Sequence, residues 1–141
     1  MKRFYSWIDT PTLAPQSLQH LAIHEYAKKV GGGIVFFGSE DNSTLSSQAG
    51  IAAKLRSTLS TEGFIFFTIH QFRYGDSLNW KLLKSIIMSG MEVHFARDGI
   101  SLYSSEDLSR QFNLLHSIDF TVRRDQGQWW RNLVKELSLR S

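Results

Sequence analysis

Apolar residues along this chain occur in short clusters that alternate with segments of helical periodicity. The clusters at Phe4–Ile8, Ile34–Phe37, Phe64–Ile69 and Met91–Ala96 are rich in aromatic and β-branched residues, which is typical of buried strands. A polar or glycine-containing segment follows each of them. We therefore predict four core strands, with Gly99–Tyr103 as a short additional edge strand.

The segments between these strands predict helices. Pro15 to Val30 carries a broad apolar stripe at helical spacing and is stopped by the glycines at 31–33. A third helix should begin at Asp76 or Ser77 and end at Gly90. The remaining predicted helices are Ser46 to Leu59, Ser105 to His116 with Ser104 or Ser105 at its start, and an amphipathic helix near Gln128 to Leu139.

Strands joined by helical crossovers predict an α/β fold. We expect three layers, with a mainly parallel sheet of four or five strands and helices on both faces. The expected strand order is the flavodoxin-like 2-1-3-4. The length of 141 residues fits a single domain spanning residues 1–141.

Composition excludes several kinds of chemistry. The chain has no cysteine, which rules out disulfides, thiolate nucleophiles and cysteine-ligated metals. The residues identify no cofactor and no metal site. No apolar run approaches membrane-spanning length, and Asp9 and Pro11 interrupt any signal-peptide core, so we expect no membrane insertion and a cytoplasmic protein. The net charge of +3 is too small to favour a nucleic-acid partner.

The candidate site follows from the predicted strand order. Ligands bind α/β sheets at the carboxyl ends of the strands, where the strand order reverses, which is here between the first and third strands. Asp9 and His70 are the candidate acid–base residues, with Glu40 as an alternative base, and Arg73 or Arg97 is a fixed cation for a phosphate or carboxylate. The candidate ligand-binding residues are Thr10, Ser39, Glu40, Gln71, Arg73 and Arg97. The alternative is that all of these are ordinary solvated loop residues.

Two histidine features have simpler interpretations. His20 and His24 lie one helical turn apart, a spacing that two zinc ligands could use, but no third ligand is near in sequence and a solvated helix face is the favoured interpretation. His94 lies within a strand, where a histidine is more often hydrogen-bonded in the core than catalytic.

The C-terminal amphipathic helix predicts a contact surface. Trp129, Trp130 and Leu133 lie on one wide apolar face, which predicts packing against the domain or a homodimer interface. Stacking of nucleic acid on the two tryptophans is the alternative.

The order of elements from Leu55 to Glu92 resembles the catalytic domain of resolvase/invertase-type serine recombinases. That resemblance implies a fold and not an activity. The family places its serine nucleophile where this chain has Asp9 and an arginine where it has Trp7. The family's Asp-Arg-Leu-x-Arg segment, whose arginines bind the scissile phosphate, corresponds to His70–Tyr74 in this chain. Neither arginine is preserved at its own position, so we expect no active serine recombinase.

A second resemblance covers more of the chain. Pro15–Tyr26, Ser39–Glu40, Gly63–Thr68 and Glu92–Ala96 resemble a family of small proteins found sporadically in bacterial carbohydrate-biosynthesis clusters. This resemblance implies a role in making surface polysaccharide or a decorated sugar, without a reaction to carry over. The residue types of the candidate site are suited to a phosphorylated or nucleotide-linked sugar as ligand. The alternative hypothesis is a non-catalytic, recombinase-like module that acts through dimerisation or a protein partner.

Overall fold

The computed structural model describes residues 1–8, 14–39, 50–55, 61–74, 77–124 and 135. The described residues form a five-stranded main sheet and a separate two-stranded hairpin. The strands are β1 Lys2–Ile8, β2 Gly32–Ser39, β3 Gly63–Phe66, β4 Arg73–Tyr74, β5 Ser77–Leu78, β6 Glu92–Phe95 and β7 Ile100–Leu102. The helices are α1 Gln16–Lys29, α2 at 50–55, α3 Trp80–Met88, α4 Ser105–Arg110, α5 Phe112–Arg124 and a 3-10 helix at Ile69–Phe72.

The five-stranded sheet has the order β2-β1-β3-β6-β7. Strand β1 pairs in parallel with β2 and β3, β3 pairs in parallel with β6, and β7 runs antiparallel along β6. The predicted α/β class with a mainly parallel sheet is therefore confirmed, and so is the predicted edge strand at 99–103.

Successive side chains of a strand point to opposite faces of the sheet, and apolar residues of the central strands are buried on both faces. On one face Phe4, Ile8, Ile65 and Phe67 contact the buried side of α1. The other face carries the larger core. That core includes Tyr5, Trp7, Phe64, Phe66, Val93 and Phe95 with Ile51, Leu83, Ile86, Leu108 and Leu115 from the helices.

Strands β3 and β6 approach each other closely at Gly63. A Cβ atom built on Gly63 would lie 2.2 Å from the backbone oxygen of Glu92. Only glycine allows this approach without moving one of the two backbones.

The predicted third strand, Phe64–Ile69, is too long. β3 ends at Phe66, and Ile69 begins the 3-10 helix instead. The Thr68 hydroxyl accepts the backbone N–H of His70, and the Gln71 side chain accepts the backbone N–H of Thr68. This capping arrangement turns the chain where hydrophobicity alone predicted a continuing strand.

Two helix predictions also need correction. The third helix begins after Asn79, whose side chain caps the N–H of Leu82, because Ser77–Leu78 pair with Arg73–Tyr74 in the hairpin. The single helix predicted at 105–116 is divided at Gln111 into α4 and α5, with Ser104 as the N-cap of α4. Gly90 does end α3, with a φ of 91°.

Most of the predicted helix at 46–59 and of the C-terminal helix at 128–139 lies outside the described residues. Residues 50–55 and Lys135 are helical. Trp129, Trp130 and Leu133 also lie outside the described part, so the homodimer interface stays a prediction.

Candidate functional site at the carboxyl edge of the sheet

The carboxyl ends of β3 and β6 are joined by backbone hydrogen bonds beyond the strands themselves. The N–H of Ala96 donates to the oxygen of Phe66 at 2.9 Å, and the N–H of Arg97 donates to the oxygen of Phe67 at 2.8 Å. These bonds place the Arg97–Asp98 turn directly beside Thr68, at the edge where α/β proteins bind ligands.

Asp98 contacts three residues at this edge, Thr68, Ile69 and Arg97. Its side chain is fully buried, accepts the backbone N–H of Ile69 at 2.9 Å and accepts the Thr68 hydroxyl at 3.3 Å. The Arg97 guanidinium pairs with the same carboxylate, and Arg97 Nε donates to the Thr68 oxygen at 3.3 Å. Asp98 therefore fixes the start of the 3-10 helix to the turn after β6.

Burial dominates the electrostatics of this pair. Burial raises the pKa of the Asp98 carboxyl, while Arg97, the Ile69 N–H and the Thr68 hydroxyl act in the opposite direction. Burial likewise lowers the pKa of Arg97, and Asp98 opposes that change. An arginine begins so far above neutrality that it stays charged, and a buried pair of this kind needs both partners.

Gln71 connects this loop to strand β1. Its Nε2 donates to the backbone oxygen of Trp7 at 2.9 Å, and its Oε1 accepts the N–H of Thr68 at 3.0 Å. The side chain is almost fully buried, with 2% of its surface exposed. The Gln71 amide therefore holds the loop that follows β3 against the end of β1.

His70 and Arg73 lie on the same loop, and both are half-buried. His70 is the second residue of the 3-10 helix. Its positive charge when protonated also acts to lower the pKa of Asp98. Arg73 follows the helix and begins the β4–β5 hairpin. Among the described residues, this edge therefore carries the His70 imidazole and the Arg73 guanidinium beside the Arg97–Asp98 ion pair.

The other predicted site residues are placed less completely. Ser39 ends β2, the neighbour of β1, although only its backbone is described. Asp9, Thr10 and Glu40 lie outside the described residues, so their convergence with His70 stays a prediction. Arg97 lies at the predicted edge and is bound to Asp98.

Sequence analysis missed Asp98 and Thr68. The only available signal was an aspartate before Gly99 in a turn after a strand, a pattern shared by many surface turns. Within the described residues, no group of three or more histidine, aspartate or glutamate side chains is arranged to bind a metal. His20 and His24 instead flank the exposed ring of Phe37, with ring centres 5.9 and 5.8 Å away.

No protein-family model matches this chain, and no curated protein matches it significantly. None of the described helices is long and apolar enough to cross a membrane. The geometry of the chain itself is therefore the basis for assigning a function.

Proposed function

We propose that this protein binds a phosphorylated or nucleotide-linked sugar at the carboxyl edge of its sheet and acts in surface-polysaccharide or sugar biosynthesis. The observation that carries the proposal is the placement of His70 and Arg73 on one loop that is hydrogen-bonded through Gln71 to β1 and through Asp98 to the turn after β6, at the strand-order reversal. A binding site needs such supporting contacts to hold charged groups in a fixed geometry.

The proposed chemistry uses the charge of this edge. Arg97 is paired with Asp98, and the guanidinium of Arg73 on the neighbouring loop would contact a phosphate, with His70 on the same loop. His70 and Asp9 would transfer a proton if a reaction occurs, and Thr10, Ser39 and Glu40 would contact the sugar.

The proposal includes a three-layer, resolvase-like arrangement in which the first four core strands follow the order 2-1-3-4. The position of β1 between β2 and β3 supports it. In such a fold the first and third strands flank the ligand crevice.

A thermal-shift panel tests the ligand. Glucose 1-phosphate, UDP-glucose, dTDP-glucose and inorganic phosphate would each be added with and without magnesium to the wild type, His70→Gln and Arg73→Gln. A ligand at about 100 times its dissociation constant stabilises the native state by about 2.7 kcal/mol, which is visible as a shift in Tm. We expect a shift that Arg73→Gln abolishes.

The matched control is Arg110→Gln, which removes an equal charge from an exposed position on α4. It should keep the shift. The proposal fails if no sugar ligand stabilises the wild type or if Arg73→Gln and Arg110→Gln behave alike.

A non-catalytic module acting through dimerisation or a protein partner is the second candidate. A groove of about 970 Å³ between α3, α4 and α5 favours it, and the groove is lined by Trp80, Met88 and Phe112. Met88 and Phe112 are 67% and 44% exposed, which is typical of contact surfaces.

Light scattering of the wild type, Met88→Glu and Leu21→Glu would test this candidate. Leu21 is a matched control, because it is an exposed apolar residue on α1. A dimer lost only in Met88→Glu would support the second candidate, whereas a monomeric wild type would remove self-association as its mechanism.

A further inference from the structure

A chain of hydrogen bonds connects four polar side chains on the α1 face of β6 and β7. Ser101 Oγ lies 2.8 Å from His94 Nδ1, and His94 Nε2 lies 2.9 Å from Glu92 Oε1. The Tyr26 hydroxyl lies 2.7 Å from Ser101 Oγ. The network extends away from the carboxyl-edge loop. Glu92 is the first residue of β6, and Lys2, which contacts Glu92, is the first residue of β1, so both lie at the amino ends of their strands.

Strand geometry accounts for this arrangement. Glu92 and His94 are two residues apart on β6 and so share one face, and Ser101 is the direct antiparallel partner of His94. The opposite face of the same strands is apolar, with Val93, Phe95, Ile100 and Leu102 in the core. The polar residues are thus concentrated on one side.

The donor and acceptor of each hydrogen bond in this network follow from Glu92, which lies at one end of the network and can only accept. Lys2 Nζ donates to Glu92 Oε2 at 2.8 Å, and a carboxylate only accepts, so His94 Nε2 must carry the proton that reaches Glu92 Oε1. Neutral His94 then accepts at Nδ1 from the Ser101 hydroxyl, and Tyr26 donates to Ser101 Oγ.

His94 is held in this neutral form. Its ring is fully buried and is surrounded by Phe4, Tyr26 and Tyr103, with ring centres 5.2, 5.8 and 5.5 Å away. Burial lowers the pKa of His94, Lys2 adds to that effect, and Glu92 opposes it. Ser101 is half-buried, and β7 is the last strand of the sheet.

We propose that Ser101 is a reactive nucleophile, that His94 is its general base and Glu92 orients the imidazole, and that this site accepts acyl groups from carboxylic esters. A serine that is hydrogen-bonded to a histidine, which is itself hydrogen-bonded to a carboxylate, is the arrangement that activates hydroxyl nucleophiles. Here the serine hydroxyl is hydrogen-bonded to Nδ1 of His94, and the carboxylate is hydrogen-bonded to Nε2.

The reaction balances without a further reactant except water. The Ser101 O–H bond breaks, its proton moves to His94 Nδ1, and Oγ forms a bond to the ester carbonyl carbon. The ester C–O bond breaks, and the leaving alcohol takes the proton from His94. Water then hydrolyses the acyl-Ser101 ester by the same steps and regenerates both side chains.

A biotinylated ethoxy fluorophosphonate and p-nitrophenyl acetate would test the proposal on the full chain. We expect the fluorophosphonate to modify the peptide containing Ser101, with loss of fluoride and a proton. Ser101→Ala should abolish modification and ester hydrolysis, and His94→Gln should slow both by at least about 100-fold, the usual contribution of a general base. Ser109→Ala, an exposed serine on α4, is the matched control and should react normally.

A second variant covers the case in which His94→Gln does not fold. Since the chain has no cysteine, Ser101→Cys and Ser109→Cys each introduce a single thiol. The proposal requires His94 Nδ1 to accept the proton of the group it hydrogen-bonds, so a thiol at position 101 should form a thiolate–imidazolium pair, and iodoacetamide at pH 6.5 should alkylate Ser101→Cys at least about tenfold faster than Ser109→Cys. Equal or slower alkylation, modification at another residue, or no modification of folded wild type would overturn the proposal.

Discussion

The Gln71 side chain joins strand β1 to the loop that follows β3. Its Nε2 donates to the backbone oxygen of Trp7 at 2.9 Å, while its Oε1 accepts the backbone N–H of Thr68 at 3.0 Å. One buried amide therefore satisfies one backbone group on β1 and one at the start of the 3-10 helix. The position of His70 and Arg73 depends on this contact, because both lie on the loop that Gln71 holds.

Replacing Gln71 with leucine should destabilise the protein and weaken ligand binding together. The substitution leaves the Trp7 carbonyl and the Thr68 N–H without this partner in the core, at a cost of about 1–3 kcal/mol for each buried group left unsatisfied. Urea unfolding measures the loss. Gln16→Leu, at an exposed position in the first turn of α1, should change stability by less than about 0.5 kcal/mol. Equal effects of the two variants would contradict this role of Gln71.

Removing the Asp98 carboxylate should be more costly. Asp98→Ala leaves Arg97 largely buried without its carboxylate and removes the acceptor for the Ile69 N–H. Breaking a buried pair in this way costs about 3–5 kcal/mol. Chemical denaturation of Asp98→Ala and of the exposed control Glu25→Ala would measure the difference. A loss below about 1 kcal/mol for Asp98→Ala would show that the pair does not hold the loop.

Stability should fall as the pH decreases from about 7.5 to 5.5, in part because of His94. Burial lowers the pKa of His94 in the folded state below the ordinary value of 6.5, so the unfolded chain binds the proton more readily. The contribution of His94 is present above pH 6.5 and is lost as the pH falls toward the folded-state pKa, by at most about 1.4 kcal/mol per pH unit.

His94→Gln should flatten this dependence, and the comparison with wild type by urea unfolding at several pH values isolates it. Glu92, Lys2, Tyr26, Tyr103 and Ser101 are the titratable or polar groups that face His94 among the described residues. The pKa values of Glu62 and Asp107 are lowered below their ordinary values of 4.5 and 3.8, so the protonation of these two carboxylates affects stability only at lower pH. Parallel curves for wild type and His94→Gln would contradict the assignment.

Gly63→Ala should destabilise the junction of β3 and β6. The new methyl group would lie 2.2 Å from the Glu92 backbone oxygen, so the strands must separate, at a cost of about 1–3 kcal/mol for an overpacked site. Gly33→Ala in β2 is the matched control, since its methyl group meets only the flexible Met1 side chain at 3.2 Å. Thermal unfolding that ranks Gly33→Ala as the more damaging change would disprove the close-approach explanation.

Much of the fold could be predicted from local pattern. The aromatic and β-branched clusters located the strands, and the apolar stripe of Pro15–Val30 located α1, because burial on one or two faces determines these periodicities. Gly90 marked the end of α3 for an equally local reason, the positive φ that glycine adopts readily.

The sequence was misleading where a distant contact overrides hydrophobicity. The apolar run at Phe64–Ile69 does not remain a strand, because Thr68 and Gln71 cap a 3-10 helix and Asp98 accepts the Ile69 N–H. Asp98 is 29 residues from Ile69 in the sequence, and no periodicity records that contact.

The sequence by itself determined the α/β class and most strands, since hydrophobic periodicity is a local property. Only the tertiary structure decided which polar residues meet. It buried Asp98 against Arg97 and brought Tyr26, Ser101, His94 and Glu92 into one hydrogen-bonded chain. The physical reason is that such networks depend on strand register and on the packing of α1, which are settled between segments distant in sequence.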